Sequence, residues 1–467
     1  MPRKVLILTV GGSDEPVVTS ITKNKPDFVY FLCSDDFSDS PRSSSYLTVE
    51  GEGKPCGSVQ KCASCGATKG ERRESIVKQL GLVPGSYKVI RINHFDNVNI
   101  CYLEACRIIQ EEREKEPHVG IIADFTGGTK SMTAGLASAA MDDGRAMLCV
   151  VSGKRLNLQK VEDGTQIARI IDNSRIMVEK KLLLLNKLWQ GYHYQSCLSV
   201  LDEIYDRPLA DDLYDRLEKI RYLCSAFEAW DRFDHEKALS FFKINKKIVP
   251  EKYLKFLGRI IQSKTIWAEL LEQNEEKNEK AETGERIKRL HAPLSGKRHF
   301  LNFDPVYDLV LNARRRAAQG RYDDAVARLY RALEMFGQLN LLRWEHPLRT
   351  SNLDTAKLPD FLRDEYESRR DPNKGTINLG LIQNYTLLSR LETPVGKVFE
   401  SYKNAMQLHL LKRNNSLMAH GITPVDEISY REMLGFVEEF LNICCRELKE
   451  KSRLDYALQF DDSLFGL

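Results

Sequence analysis

The stretch Asp124-Phe-Thr-Gly-Gly-Thr-Lys-Ser-Met132 limits what this chain can fold into more than any other. It follows an apolar run, Val119 to Ala123, and precedes an Ala-rich segment ending near Met141, a pattern that predicts strand, tight loop and helix. Gly127 and Gly128 let the backbone turn without a β-carbon clash, so the amides of the loop and of the first helical turn point outward. Such a helix start attracts anions, and Lys130 adds a full positive charge. Thr126 to Ser131 therefore read as a phosphate or nucleotide seat at the carboxyl end of a parallel strand, where open α/β sheets hold their ligands. A Walker A loop is excluded, because Thr129 and not glycine precedes Lys130. The bland alternative is a Gly-Gly turn that packs a small-residue helix on a sheet and holds nothing.

The same logic repeats at the start of the chain. Val5 to Val10 is a fully apolar strand candidate, followed by Gly11-Gly12-Ser13-Asp14 and a helix through Val17 to Thr22. Further strands are predicted at Phe28 to Cys33, Lys88 to Ile92 and Ala146 to Ser152, with helices at Glu71 to Leu80 and Ile100 to Glu116. Strand and helix in alternation argue for an α/β, Rossmann-like parallel sheet over residues 1–172, in which the loops at Gly11, Gly12 and Ser13 and at Thr126 to Ser131 flank one crevice.

A chain of 467 residues has room for two or three domains, and 42% hydrophobic with 29% charged residues is the balance of a soluble globular protein. The net charge of +3, from 69 Lys and Arg against 66 Asp and Glu, excludes a globally basic nucleic-acid surface, so any RNA contact is local. The apolar start stops at Gly11, too soon for a signal peptide, and no run reaches membrane-spanning length; a cytoplasmic location with no membrane partner is expected. Eleven cysteines, several within apolar runs (Cys33, Cys149, Cys197), fit reduced buried thiols. The Ser/Gly-rich insertion from Ser38 to Gly70 differs: Cys56, Cys62 and Cys65 offer either a knuckle for a structural zinc, with Cys33 or His94 as the nearby fourth ligand, or unligated loop thiols.

From Arg175 onward the spacing is helical. Three turn-like pieces, Trp189 to Tyr194, Trp230 to His235 and Ala318 to Tyr322, resemble the corners of helical hairpins, at spacings too irregular for a tetratricopeptide solenoid. A charged stretch from Glu272 to Lys297 suggests a junction near residue 290, giving a connecting part over 173–290 and a last domain over 291–467. In that domain Ala325, Leu329, Leu333 and Phe336 form an apolar stripe, while Arg314, Arg321 and Arg328 repeat every seven residues and either solvate the helix or line an RNA groove.

A long helical pattern after Val395 runs into Arg413-Asn-Asn-Ser-Leu-Met-Ala-His420, with Gly421 and Pro424 as the stop signal. On that reading Arg413 and His420 share a face two turns apart, a rise of roughly 10 Å, and His420 in the last turn has its pKa pushed upward. A phosphodiester fits between an always-charged arginine and a residue that exchanges protons near neutrality. The alternative is an ordinary histidine at a helix end.

The two stretches together resemble the CRISPR-associated CARF-HEPN ribonucleases of type III systems: a Rossmann-like domain carrying Asp124 to Met132, then a helical domain carrying Arg413-Asn414 and His420. Ala317 to Glu334 is similar to the first helices of the HEPN part in one branch of that family. The HEPN signature of Arg, four to six residues and His is met at its upper limit of six. The resemblance implies a homodimer whose CARF domains bind cyclic oligoadenylate as activator, with Gly11, Gly12, Ser13, Thr126, Gly127, Gly128, Thr129, Lys130 and Ser131 contacting it. It also implies a composite site of Arg413, Asn414 and His420 that cleaves single-stranded RNA by 2′-hydroxyl attack, without a catalytic metal or cofactor. Two rival functions stay open: a catalytically inactive cyclic-nucleotide sensor or scaffold, and a ring nuclease that degrades its own activator in the first domain.

Overall fold

The computed structural model describes residues 2–35, 45–51, 74–156, 160–161, 165–205, 209–244, 249–275, 301–417 and 421–454. The chain divides into two compact units, Met1–Leu182 and Leu183–Leu467.

The N-terminal unit is built on a six-stranded sheet. Its strands are β1 (Lys4–Val10), β2 (Phe28–Ser34), β3 (Tyr87–Ile92), β4 (Gly120–Asp124), β5 (Met147–Ser152) and β8 (Ile167–Ile171), in the order β3-β2-β1-β4-β5-β8. The first five are parallel, as the strand and helix alternation predicts. β8 is an addition the sequence did not reveal: it pairs antiparallel with β5, so the sheet is mixed. Its residues Ile167 and Ile170 are half-exposed, the mark of an edge strand, and parallel sheets commonly carry one antiparallel edge. A short antiparallel pair, β6 (Arg155–Leu156) and β7 (Lys160–Val161), precedes it.

β1 is apolar along its length because both faces of the sheet are covered. Val5 and Ile7 enter one core with Cys101, Ala105 and Ile108 of α4 (Val98–Lys115) and Leu136 of α5 (Lys130–Asp143). Leu6 and Leu8 enter the other with Val17 and Ile21 of α1 (Glu15–Asn24) and Ile76 of α3 (Ile76–Leu80). α3 begins at Ile76, after the extended Ser75 (φ −65°, ψ 155°); residues 71–73 of the predicted helix lie outside the described residues. A single turn, α2 (Tyr46–Val49), precedes α3.

α6 (Ser174–Gln190) runs through the division, and the C-terminal unit is helical throughout its described residues. It contains α7 (Tyr194–Tyr205), α8 (Asp211–Asp231), α9 (His235–Ile244), α10 (Glu251–Glu275), α11 (Asp304–Ala318) and α12 (Tyr322–Arg343). α13 (Asp360–Glu367), α14 (Leu381–Arg390), α15 (Pro394–Asn414) and α16 (Glu427–Glu447) follow. The three predicted corners are real and share one geometry. Tyr192, Phe233 and Gly320 have positive φ (60°, 64° and 71°), and the next residue donates its amide back to Leu188, Ala229 and Arg316 respectively. That is a Schellman ending, which satisfies the last carbonyls of one helix and turns the chain into the next. Trp230 ties the central helices to α11: it is buried among Phe227, Phe242, Tyr253 and Phe256, and its indole N–H donates to Asp308 at 2.9 Å.

Candidate functional site

β1 and β4 are adjacent, and the strand order reverses direction between them, so their carboxyl ends bound the crevice where doubly wound sheets place ligands. Both glycine loops lie there. A β-carbon on residue 127 would stand 2.6 Å from the Thr9 carbonyl oxygen, and Gly128 takes φ 85°. Thr126 folds over Asp124, receiving its turn from the Oδ1 acceptor at 2.9 Å from the Thr126 amide, and its hydroxyl accepts the Val151 N–H at 2.7 Å. Thr129 is the N-cap of α5, accepting from the Met132 amide at 3.3 Å and donating to the Phe95 carbonyl at 2.9 Å. Ser131 donates to the Asp96 carbonyl at 2.7 Å. The hydroxyls of Thr126, Thr129 and Ser131 thus fix the loop, leaving the first two amides of α5 and the exposed Lys130 side chain as the groups able to meet an anion.

Sequence reasoning missed the neighbour of this loop. After β3, residues Asn93 to Val98 line an open cavity of ≈750 Å³, and Phe95 and Asp96 are the residues that Thr129 and Ser131 grip. The signal was present as a polar Asn-His-Phe-Asp-Asn run at a strand's carboxyl end. His94, considered above for zinc, sits in that wall. Cys56, Cys62 and Cys65 lie outside the described residues; among the described residues no cluster of three or more His, Cys, Asp or Glu could hold a metal.

The second site is in the C-terminal unit. Thr393 caps α15, with Pro394 in its first turn, and the helix runs to Asn414. It does not continue to residue 420. Ser416 bonds back to the Arg413 carbonyl at 2.9 Å, Leu417 donates to the Thr423 carbonyl at 2.9 Å, and Gly421 donates to the Ser416 carbonyl at 3.0 Å. These bonds, with Asn414, Asn415 and Ser416 as poor helix formers, stop the helix early. The expectation of Arg413 and His420 on one helical face is therefore corrected, and with it the helix-end argument for a raised His420 pKa. His420 itself lies outside the described residues.

Arg413 lines a cavity of ≈350 Å³ together with Val326, His409, Asn415, Thr423 and Met433. Its guanidinium lies 4.3 Å from the Tyr330 ring centroid and donates to Asn414 Oδ1 at 3.1 Å. Burial pushes the Tyr330 hydroxyl pKa up, against the opposing pull of Arg413. His409, Tyr330 and Lys412 were not singled out from the sequence, because the cavity gathers α12, α15 and α16 from distant parts of the chain. Arg314, Arg321 and Arg328, by contrast, are engaged within the fold: Arg314 pairs with Glu438 at 2.6 Å, Arg321 with Asp324, and Arg328 with Asp324 at 3.4 Å.

A doubly wound sheet with paired glycine loops at its switch point is followed by a helical unit in which Arg413 lines a cleft. Residues 301–444 match the family model for the Csm6 HEPN domain. The chain is similar in fold to Enterococcus italicus Csm6 bound to cyclic hexa-2'-fluoro-hexa-dAMP, at a TM-score of 0.56 and 12% identity, covering 99% of both chains. Can2 from Sulfobacillus thermosulfidooxidans in complex with cyclic tetra-adenylate (cA4) aligns over 75% of this chain and 72% of its own at 14% identity, with a TM-score of 0.21 too low to carry an argument. No curated protein matches the chain. Among the described residues no helix is long and apolar enough to cross a membrane.

Proposed function

We propose that this protein is a cyclic-oligoadenylate-activated, metal-independent endoribonuclease of type III CRISPR defence that acts as a homodimer. Residues 1–172 serve as sensor, 173–290 as connector and 291–467 as nuclease. The observation that carries the reading is Arg413 in the lining of a cavity, hydrogen-bonded to Asn414, within the stretch that matches the HEPN family model.

In the proposed reaction the 2′-hydroxyl oxygen of single-stranded RNA attacks the adjacent phosphorus. The P–O5′ bond breaks, leaving a 2′,3′-cyclic phosphate and a 5′-hydroxyl. His420 takes the 2′-hydroxyl proton or supplies one to the departing oxygen, and Arg413 stabilises the charge that builds on the phosphoryl oxygens. Asn414, which already holds the Arg413 guanidinium, keeps it aimed. In the sensor, Lys130 and the α5 amides meet the ring's phosphates, with Gly11 to Ser13 on the opposite lip.

The test is fluorescent RNA incubated with the purified protein and cyclic oligoadenylates of different ring size, in EDTA. Cleavage is expected only with the right ring, and Arg413→Ala and His420→Ala each abolish it while activator binding survives. Cleavage retained in both variants would end the proposal. One observation favours an added activity: the Lys130 side chain is exposed and makes no hydrogen bond or ion pair with the described residues, so it is available to promote hydrolysis of the bound ring. Loss of the ring over time, absent in Lys130→Ala, tests that reading.

A further inference from the structure

We infer that the ≈350 Å³ cavity beside Arg413 is a nucleobase subsite, which takes one base of the single-stranded RNA next to the phosphate that Arg413 holds and reads it through His409. The inference rests on the ribonuclease reading and adds to it where the substrate's base goes.

The cavity has the composition a nucleotide needs. Its lining is mixed: Val326 of α12 and Met433 of α16, both nearly fully enclosed, with Pro424 and Val425 give apolar surface for a ring, and Asn415, Ser416, Thr423 and Ser429 give polar edges. Its volume is at the lower end of the roughly 300–1,000 Å³ of small-ligand pockets, room for one flat ring system and not for a folded segment. Lys412 and Arg413 complete the lining. Lys412 is already paired with Glu432 at 2.6 Å, so Arg413 is the cation left to engage a phosphate, and its planar fork matches phosphate oxygens. A slot with apolar surface, polar edges and one guanidinium fits a base with its phosphate held by Arg413. It suits neither a bare anion nor an uncharged apolar group.

His409 makes the slot selective. It lies one helical turn before Arg413 on α15, so the two side chains share a face. Its ring packs 4.7 Å from Phe436, which stacks in turn on Phe440 at 6.1 Å, so a ladder of rings ends at the cavity. The imidazole makes no hydrogen bond with the described residues. Burial, then the charge of Lys412, lowers its pKa against the weaker pull of Glu432, which keeps the ring neutral. A neutral imidazole offers one donor and one acceptor, the pair required to discriminate base edges.

The experiment uses the full-length protein with its activator and a randomised single-stranded RNA, and sequences the cut ends. Wild type is expected to cut with a base bias at one position beside the break. His409→Ala should flatten that bias by about tenfold, the loss of one to two hydrogen bonds, while kcat on a uniform substrate falls less. His409→Gln should restore part of the bias with a changed preference. Val326→Phe, which fills the slot without touching His409, should also flatten it, with thermal melts confirming folding. An identical cut profile in wild type, His409→Ala and Val326→Phe overturns the subsite and leaves the ribonuclease reading standing. If no ring triggers cleavage, that reading falls, and the subsite is judged by binding of an uncleavable 2′-O-methyl oligonucleotide scanned with one abasic position. A single base-dependent position that His409→Ala erases upholds it, and base-independent binding overturns it.

Discussion

Gly11 and Gly128 meet backbone to backbone: a β-carbon on residue 11 would stand 2.7 Å from the Gly128 amide nitrogen. This contact joins the loop after β1 to the loop after β4, so neither can move without the other. Gly11→Ala must push the two apart, and the obstacle is backbone, which cannot rotate away as a side chain would. Overpacking of this kind typically costs about 1–3 kcal/mol, and here it falls on the shape of the ligand crevice. Affinity for the cyclic activator is expected to drop by about tenfold or more in calorimetry, with RNA cleavage recovered at saturating activator. Unchanged affinity would remove the paired loops from the binding site.

At the other site, a β-carbon on residue 421 would lie 1.8 Å from the Asn415 carbonyl oxygen. Gly421→Ala therefore breaks the loop closure made by Gly421 to Ser416 and Leu417 to Thr423. Arg413 and Asn414 lie at the root of that loop, and a displacement of about 1 Å in a catalytic group can cost on the order of 10²-fold. RNA cleavage should fall by about that factor while activator binding holds. Equal loss of both would point to general unfolding instead.

The sequence was most informative where local chemistry decides structure. β1 and β4 announce themselves because burial on both faces leaves no room for polar residues, and the glycines after them because only glycine tolerates the approach of Gly11 to Gly128. The helical corners were readable too, since Tyr192, Phe233 and Gly320 repeat one turn. Non-local bonds defeated the reading elsewhere. Phe399, Tyr402, Met406 and Leu410 fit a helix of any length beyond them, and what stops α15 at Asn414 is pairing with Thr423 across a loop. β8 was missed because an edge strand with Ile167 and Ile170 half-exposed lacks the alternation of a half-buried one. His409 looks like one polar residue on a helix until α12 and α16 enclose it.

His409 also predicts a pH effect. Its pKa is lowered in the folded protein, by burial first and by Lys412 second, whereas in the unfolded chain it returns to about 6.5. Below that value the unfolded chain binds the proton more readily, so stability is full above about pH 6.5 and is lost as pH falls toward the folded pKa. The thermal midpoint of wild type should therefore decline relative to His409→Gln as pH drops below about 6.5, and the difference should become constant above neutrality. A gap that widens with rising pH would show the imidazole to be charged in the fold.

Arg315 is completely enclosed, and its Nε donates to Asp231 Oδ1 at 2.9 Å. Asp231 ends α8 and also accepts from Arg316 and, at 3.0 Å, from Asn312 Nδ2. One carboxylate thus holds three donors of α11 against the central helices. Removing it takes the facing carboxylate from an enclosed guanidinium that cannot lose its proton. Breaking a buried pair from one side costs about 3–5 kcal/mol, much of it the desolvation of the partner left behind. Asp231→Ala should lower the unfolding free energy of the C-terminal unit, read from urea melts, by that amount. Asp231→Asn, which keeps an acceptor at Oδ1 but loses the charge, should fall between. If both variants match wild type, water reaches Arg315 and the enclosure is not what secures α8 to α11.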